Sequence, residues 1–182
     1  MVANDNKPRL LGRVMGLKAT SEPIAVSFEL TESAANTFTQ EEIALQLDVL
    51  NNEVALVYAI DLDLESPDAL AGVDTRVTAN LCSTSQTGTV GLGNSNCLAQ
   101  GRKDIRAGGF VDGGVGFTRA ADSTPVGQVE YIGIIATNNF FVSITGANNA
   151  VPKTLSGRIW LARAKATADT YSALVQSEVL SA

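Results

Sequence analysis

Apolar and polar residues alternate with a period of two in most segments of the chain that show any periodicity, the spacing that a half-buried β-strand requires. The alternation predicts strands over residues 10–18, 24–30, 43–50, 53–62, 75–81, 89–92, 128–136, 140–145 and 154–163. One segment alone follows the helical period: over Ala168–Leu180 the apolar Tyr171, Leu174, Val175 and Val179 fall on one face. Thr167 is placed to cap that helix, and Asp169 sits in its positively polarised first turn. Asn51-Asn52 and Asn138-Asn139 each separate two strand-like runs by a tight gap. Asparagine tolerates positive φ, so both pairs predict hairpin turns. Short strands punctuated by turns, without the strand–helix alternation of a parallel sheet, indicate an all-β antiparallel sandwich or barrel. The terminal helix needs an apolar surface, either the outside of its own sheet or a neighbouring subunit.

Two stretches carry weak periodicity, 66–74 and 93–125, and within the second the run 107–116 reads AGGFVDGGVG. Closely spaced glycines let backbone N–H groups approach an anion. No Lys followed by Ser or Thr closes this run, however, and it does not lead from a strand into a helix, so neither phosphate-loop pattern is met. It reads as a turned surface loop. At 182 residues the chain is expected to form one domain, with 1–9 as a flexible N-terminal arm and 166–182 as the C-terminal helix.

Composition narrows the chemistry. Hydrophobic residues make up 45% and charged residues 18%, enough apolar side chain for a full core. There is no histidine, which removes the usual general base, the commonest metal ligand and every Ser-His or Cys-His nucleophile arrangement. Net charge is −6; residues 1–18 carry a local +3 from Lys7, Arg9, Arg13 and Lys18 against Asp5, leaving −9 on the other 164. An acidic body repels nucleic acid. Charged residues and Pro8 interrupt every apolar run near the start, so no signal peptide is expected, and no stretch reaches the roughly 20 apolar residues of a membrane helix. Cys82 and Cys97 do not have zinc-site spacing. A disulfide between them would close a loop of about 15 residues; a chain without a secretion signal favours two buried free thiols.

Asp61, Asp63 and Glu65 alternate, so on a continuous strand they project from one face, with Asp68 and Asp74 following. Oxygen ligands so grouped suit a hard cation such as Ca²⁺, held at a subunit interface. The plainer reading is a solvated face whose charges discourage edge pairing. Ten aromatics are too few for an evident sugar-stacking cleft, and Phe28, Tyr58, Tyr131, Phe140, Phe141 and Trp160 lie in predicted strands, where they read as packing. Near the end, Lys153, Arg158, Arg163 and Lys165 could answer the acidic body of a neighbouring molecule or touch nucleic acid. Arg158 and Trp160 share one strand face while Ile159 and Leu161 share the other, which calls for cover on both sides of the sheet.

Three segments carry a family likeness: EIALQLDVLNNEVALVYAIDLD (42–63), YIGIIATNNFFVSITG (131–146) and RIWLARAKATADTYSALVQSEVL (158–180). In texture the chain resembles the small single jelly-roll capsid proteins of tailless icosahedral viruses of bacteria and archaea. The resemblance implies a jelly-roll sandwich of about eight strands and a non-enzymatic subunit, made in the host cytoplasm, that assembles with copies of itself into the shell of a virion. Contacts would be expected from the start through Lys18, from 107–116 and from the terminal helix. With four basic residues in its first 18, the chain lacks an Arg-rich arm. That departure implies weak or no direct nucleic-acid binding, with a shell that lies over an internal membrane or packages its genome by other means; a second capsid protein is a further expected partner. The rival classes are a β-sandwich module that binds carbohydrate or peptide and a hydrolase that uses an acidic pair from the 61–74 cluster.

Overall fold

The computed structural model describes residues 16–109, 111, 114–119 and 130–180. The chain forms β1 (Leu17–Ala19), β2 (Ile24–Thr31), β3 (Thr39–Ala44), β4 (Glu53–Leu64), β5 (Thr75–Cys82), β6 (Cys97–Arg106), β7 (Val115–Arg119), β8 (Gly133–Ile135), β9 (Asn139–Ala147), β10 (Thr154–Ala166) and α1 (Ala168–Leu180). These make two five-stranded antiparallel sheets. In the first, β1 and β2 lie end to end along one edge of β10, followed by β4 and β8. In the second the order is β3-β9-β5-β6-β7.

The pairs are nested in sequence: β2 with β10, β3 with β9, β4 with β8, and β5 with β6. A long antiparallel ribbon is thus rolled up, and the β10–β4 and β9–β5 pairings close each sheet. This is the jelly roll, with an extra edge strand and a C-terminal helix. Nesting overturns both predicted hairpins. Asn52 does take a left-handed φ of 56°, but β3 and β4 belong to opposite sheets, as do β8 and β9 on either side of Asn138. Long-range pairing decides the partner, and the turn only redirects the chain.

Inward residues of β4, β5, β9 and β10 fill the space between the sheets, among them Ile60, Leu62, Leu81, Val142, Ile144, Leu155 and Ile159. Phe28 and Phe140 meet edge to face across it, with ring centroids 6.0 Å apart. Phe28 lies opposite Gly157, and a Cβ there would strike its ring. On β6, a Cβ at Gly101 would come within 2.6 Å of Leu64. The inward row of that strand, Ala99-Gly101-Lys103, is therefore small or polar where the sheets approach closely, which is why 97–106 carries no apolar alternation and was not predicted as a strand. The predicted strand at 89–92 is absent, and the one at 43–50 ends at Ala44 because Gln46 takes a φ of 50°. Of the strand predicted over 10–18, residues 10–15 lie outside the described residues, as do 128–129 and the arm 1–9.

One end of the sandwich gathers the connections β2–β3, β4–β5 and β9–β10, which cross between sheets, and polar side chains satisfy their backbones. Asn149, 5% exposed, exchanges hydrogen bonds of 2.8 Å with Asn36, donates to the Arg76 carbonyl at 2.8 Å, and accepts from the Asp68 N–H at 3.0 Å. The buried Glu32 carboxylate accepts from the N–H groups of Gly146 at 2.6 Å and Lys153 at 2.9 Å. Lys153, 2% exposed, donates to Asp68 at 2.6 Å and Glu65 at 3.4 Å. Replacing Asn149 by Ala strands two of these backbone groups; urea unfolding should show a loss of about 2–4 kcal/mol.

Candidate functional site

With the core enclosed, function must be sought on the outer faces and edges. On the first sheet, a register shift in β4 skips Tyr58, so Ala55 and Val57 point inward before it and Ile60, Leu62 and Leu64 after it. Val54, Leu56 and Tyr58 consequently face outward, beside Ala164 and Ala166, and α1 covers them with Tyr171, Leu174 and Val175. The helix packs on its own sheet. Val179, expected on the same face, is 61% exposed. Thr167 caps the helix by accepting from the Thr170 N–H at 3.4 Å. Near the other end the Glu178 carboxylate is buried and accepts from the Ala136 N–H at 3.0 Å.

Beyond the helix the same face is uncovered. Ser27, Glu29, Asp61, Asp63, Ser156, Arg158 and Trp160 line a shallow groove of about 620 Å³. The Arg158 guanidinium lies 5.8 Å from the Trp160 ring centroid and donates to Ser27 at 3.2 Å. Ile159 and Leu161 belong to the core, which answers the two-faced pattern of that strand. Asp61 and Asp63 border this groove, as their alternation predicts, whereas Glu65 is turned to Lys153 and to the Thr154 N–H at 3.0 Å. Asp63 stands 3.6 Å from Lys103. Among the described residues no three acidic or thiol side chains are gathered closely enough to hold a metal ion.

The basic residues near the end do not form one patch. Lys153 is buried at the crossover end, Arg158 lies over Trp160, and Arg163 pairs with Glu53 at 3.1 Å. A different cluster forms on the outer face of the second sheet. Asp104 is met by Arg76 at 2.7 Å and Arg102 at 2.5 Å, and Arg106 pairs with Asp74 at 3.3 Å. Three arginines against two carboxylates leave one positive charge. The alternation of Arg102, Asp104 and Arg106 was the sequence signal for this row, hidden in a stretch read as loop. Asp74 also accepts from the N–H groups of Ala107 and Gly108, each at 2.8 Å, and so anchors the start of the glycine-rich turn. Beside the arginines runs the edge strand β7, with Val115 51% and Phe117 57% exposed and Val111 nearby at 93%.

No protein-family model matches the chain, and no curated protein matches its sequence. Among solved structures the chain is similar to one titled Desmodium yellow mottle tymovirus, at 15% identity and a TM-score of 0.32, over 87% of this chain and 95% of that one. The fold is a jelly roll. Its strands pair in nested order, β2 with β10 through β5 with β6. No helix among the described residues is long and apolar enough to cross a membrane.

Protonation divides the molecule in two. The Lys153 ammonium holds Asp68 below the ordinary carboxylate range, and the Gly108 and Ala107 N–H groups do the same for Asp74. Burial opposes ionisation of Asp104, but Arg102 and Arg76 outweigh it and hold this carboxyl low as well. These groups contribute stability above their unfolded value near 3.8 and lose it as pH falls through their lower folded values. Glu178 is the reverse: burial pushes it up, so its contribution is fully present below 4.5 and is lost as pH rises through the folded value. Glu178→Gln should therefore be more stable than the parent protein near pH 7.5, with the difference vanishing by about pH 4.5 in parallel urea titrations.

Proposed function

We propose that the chain is a major capsid subunit that assembles with copies of itself into an icosahedral shell. The observation that carries this reading is the strand β7, the last of its sheet among the described residues, whose Val115 and Phe117 lie open to solvent. An exposed apolar sheet edge is a template for association. The jelly roll hosts viral coats among other functions, so the fold permits this reading without assigning it. On this reading the subunit is one structural domain without a catalytic site and resides in the virion after synthesis in the host cytoplasm. A second capsid protein and an internal membrane are its further partners, and direct nucleic-acid binding is weak or absent. The assignment to bacterial or archaeal viruses rests on the sequence resemblance alone.

The groove at Trp160 supports the second reading, a carbohydrate- or peptide-binding module. An aromatic ring beside Glu29, Asp61, Asp63 and Arg158 offers stacking together with acceptors and donors. Light scattering on the size-exclusion peak, with negative-stain imaging across salt and Ca²⁺, separates the two. The coat reading expects rings, sheets or closed shells; a monomer under every condition, with Trp160 fluorescence quenched saturably by an oligosaccharide or peptide, would establish the module instead. Phe117→Gln should abolish assembly while costing the monomer no more than about 1 kcal/mol.

A further inference from the structure

We propose that Cys82 and Cys97 form a redox-active dithiol that closes into a cross-strand disulfide and staples the 83–96 connection. The two residues are register partners in the β5–β6 pair. The Ser83 N–H donates to the Asn96 carbonyl at 2.9 Å, which holds the two chains together just past the cysteines, while a register shift between Leu81 and Cys82 leaves Leu98 as the extra residue of a bulge. Directly opposed residues of an antiparallel pair have Cα atoms about 4.5–5.5 Å apart, within the roughly 4.4–6.8 Å that a disulfide spans. The Cys97 N–H turns to the Asn94 carbonyl at 3.0 Å.

Both thiols are free and buried, 2% exposed at Cys82 and 7% at Cys97, and the Asn80 amide donates to the Cys82 sulfur at 3.1 Å. The adjoining Cys97 sulfur and burial push the Cys82 thiol up, while the S–H of Cys82 favours the thiolate at Cys97. Cys97, the less buried of the two residues, is the one an oxidant reaches first, and it acts as the nucleophile. With glutathione disulfide as oxidant, its thiolate attacks one glutathione sulfur, forms a mixed disulfide and releases one glutathione. Cys82 then gives up its proton and attacks the Cys97 sulfur, releasing the second. Two protons and two electrons leave the protein, and one glutathione disulfide becomes two glutathiones.

The strap that would be closed contains Gly88, Gly91 and Gly93 and no strand. Its ties to the rest of the sandwich include Gln40 with Ser85 at 2.9 Å and Gln40 with Gln86 at 2.8 Å. Closing a loop of about 15 residues lowers the unfolding equilibrium constant about a hundredfold. The test equilibrates the native full chain at several ratios of reduced to oxidised glutathione, quenches with acid, and alkylates free thiols after denaturation. Expected are an intact mass lower by two hydrogens, a peptide joining Cys82 to Cys97, and an unfolding constant about a hundredfold below that in dithiothreitol. Cys82→Ser and Cys97→Ser should each lose that gain. Two alkylated thiols at every ratio, while the urea-denatured chain oxidises, would overturn the proposal. A stable glutathione adduct, a cross-linked dimer, or a disulfide that forms without raising stability would do the same.

Discussion

Everything in this fold depends on getting the chain from one sheet to the other without leaving buried backbone groups unpaired. A jelly roll has no choice about this, because nested pairing sends the chain to the opposite sheet at every step from β2 to β5, and again from β7 to β10. Three of the crossings meet at one end, and Asn149 reaches all of them: Asn36 in the first, Asp68 in the second, and its own backbone in the third. A side-chain amide suits the position because it donates and accepts at once, standing in for a missing strand neighbour. Lys153 and Glu32 complete the arrangement with charge. A buried lysine would be costly alone, but Asp68 at 2.6 Å and Glu65 at 3.4 Å neutralise it, and both remain partly exposed. The end is polar inside and locked.

Because the crossings fix the register, the strands must adapt where the packing changes. β4 does so with one residue. By skipping Tyr58 it moves its even-numbered row from the outer face, at Val54 and Leu56, to the core, at Ile60, Leu62 and Leu64, so the large apolar side chains meet α1 in one half of the strand and the opposite sheet in the other. The small Ala164 and Ala166 of β10 let the helix approach. Past the shift the same two strands carry Asp61, Asp63 and Arg158 outward, so the helix stops being needed there. Coverage of the sheet thus follows from the parity of β4.

How far this could be read in the sequence depends on which force set each element. Strands β2, β4, β5, β9 and β10 and the terminal helix were legible, because burial on one face imposes a period that the residues record. β6 was not, since Gly101 and Lys103 answer to a close sheet contact and an exposed sheet end instead of to water. The hairpins failed for a related reason: Asn52 announces a turn but says nothing about which strand lies at either side of it. Of the candidate site, the shared orientation of Asp61 and Asp63 was visible, as it needs only a strand period. That Glu65 would leave them for Lys153 was not, because that contact joins positions 88 residues apart. The arginine row around Asp104 was lost with the strand that carries it.

The edges show where association is permitted and what it requires. β1 and β8 are three residues long, β2 carries Glu29, and β3 carries Glu41 and Glu42. Short or charged edges of this kind resist pairing with another chain. Among the described residues, none guards the β7 edge over Val115–Phe117 in this way. If two copies joined there edge to edge, the contact would be isologous and would close at a dimer. A shell cannot be built from that contact alone. It demands at least one further, heterologous contact, and the described residues offer for it the groove at Trp160, the arginine row and the exposed end of α1 at Val179 and Leu180. Covering any of them must desolvate charges or fill apolar gaps. Each contact is therefore weak by itself, and only their simultaneous closure would hold a shell together.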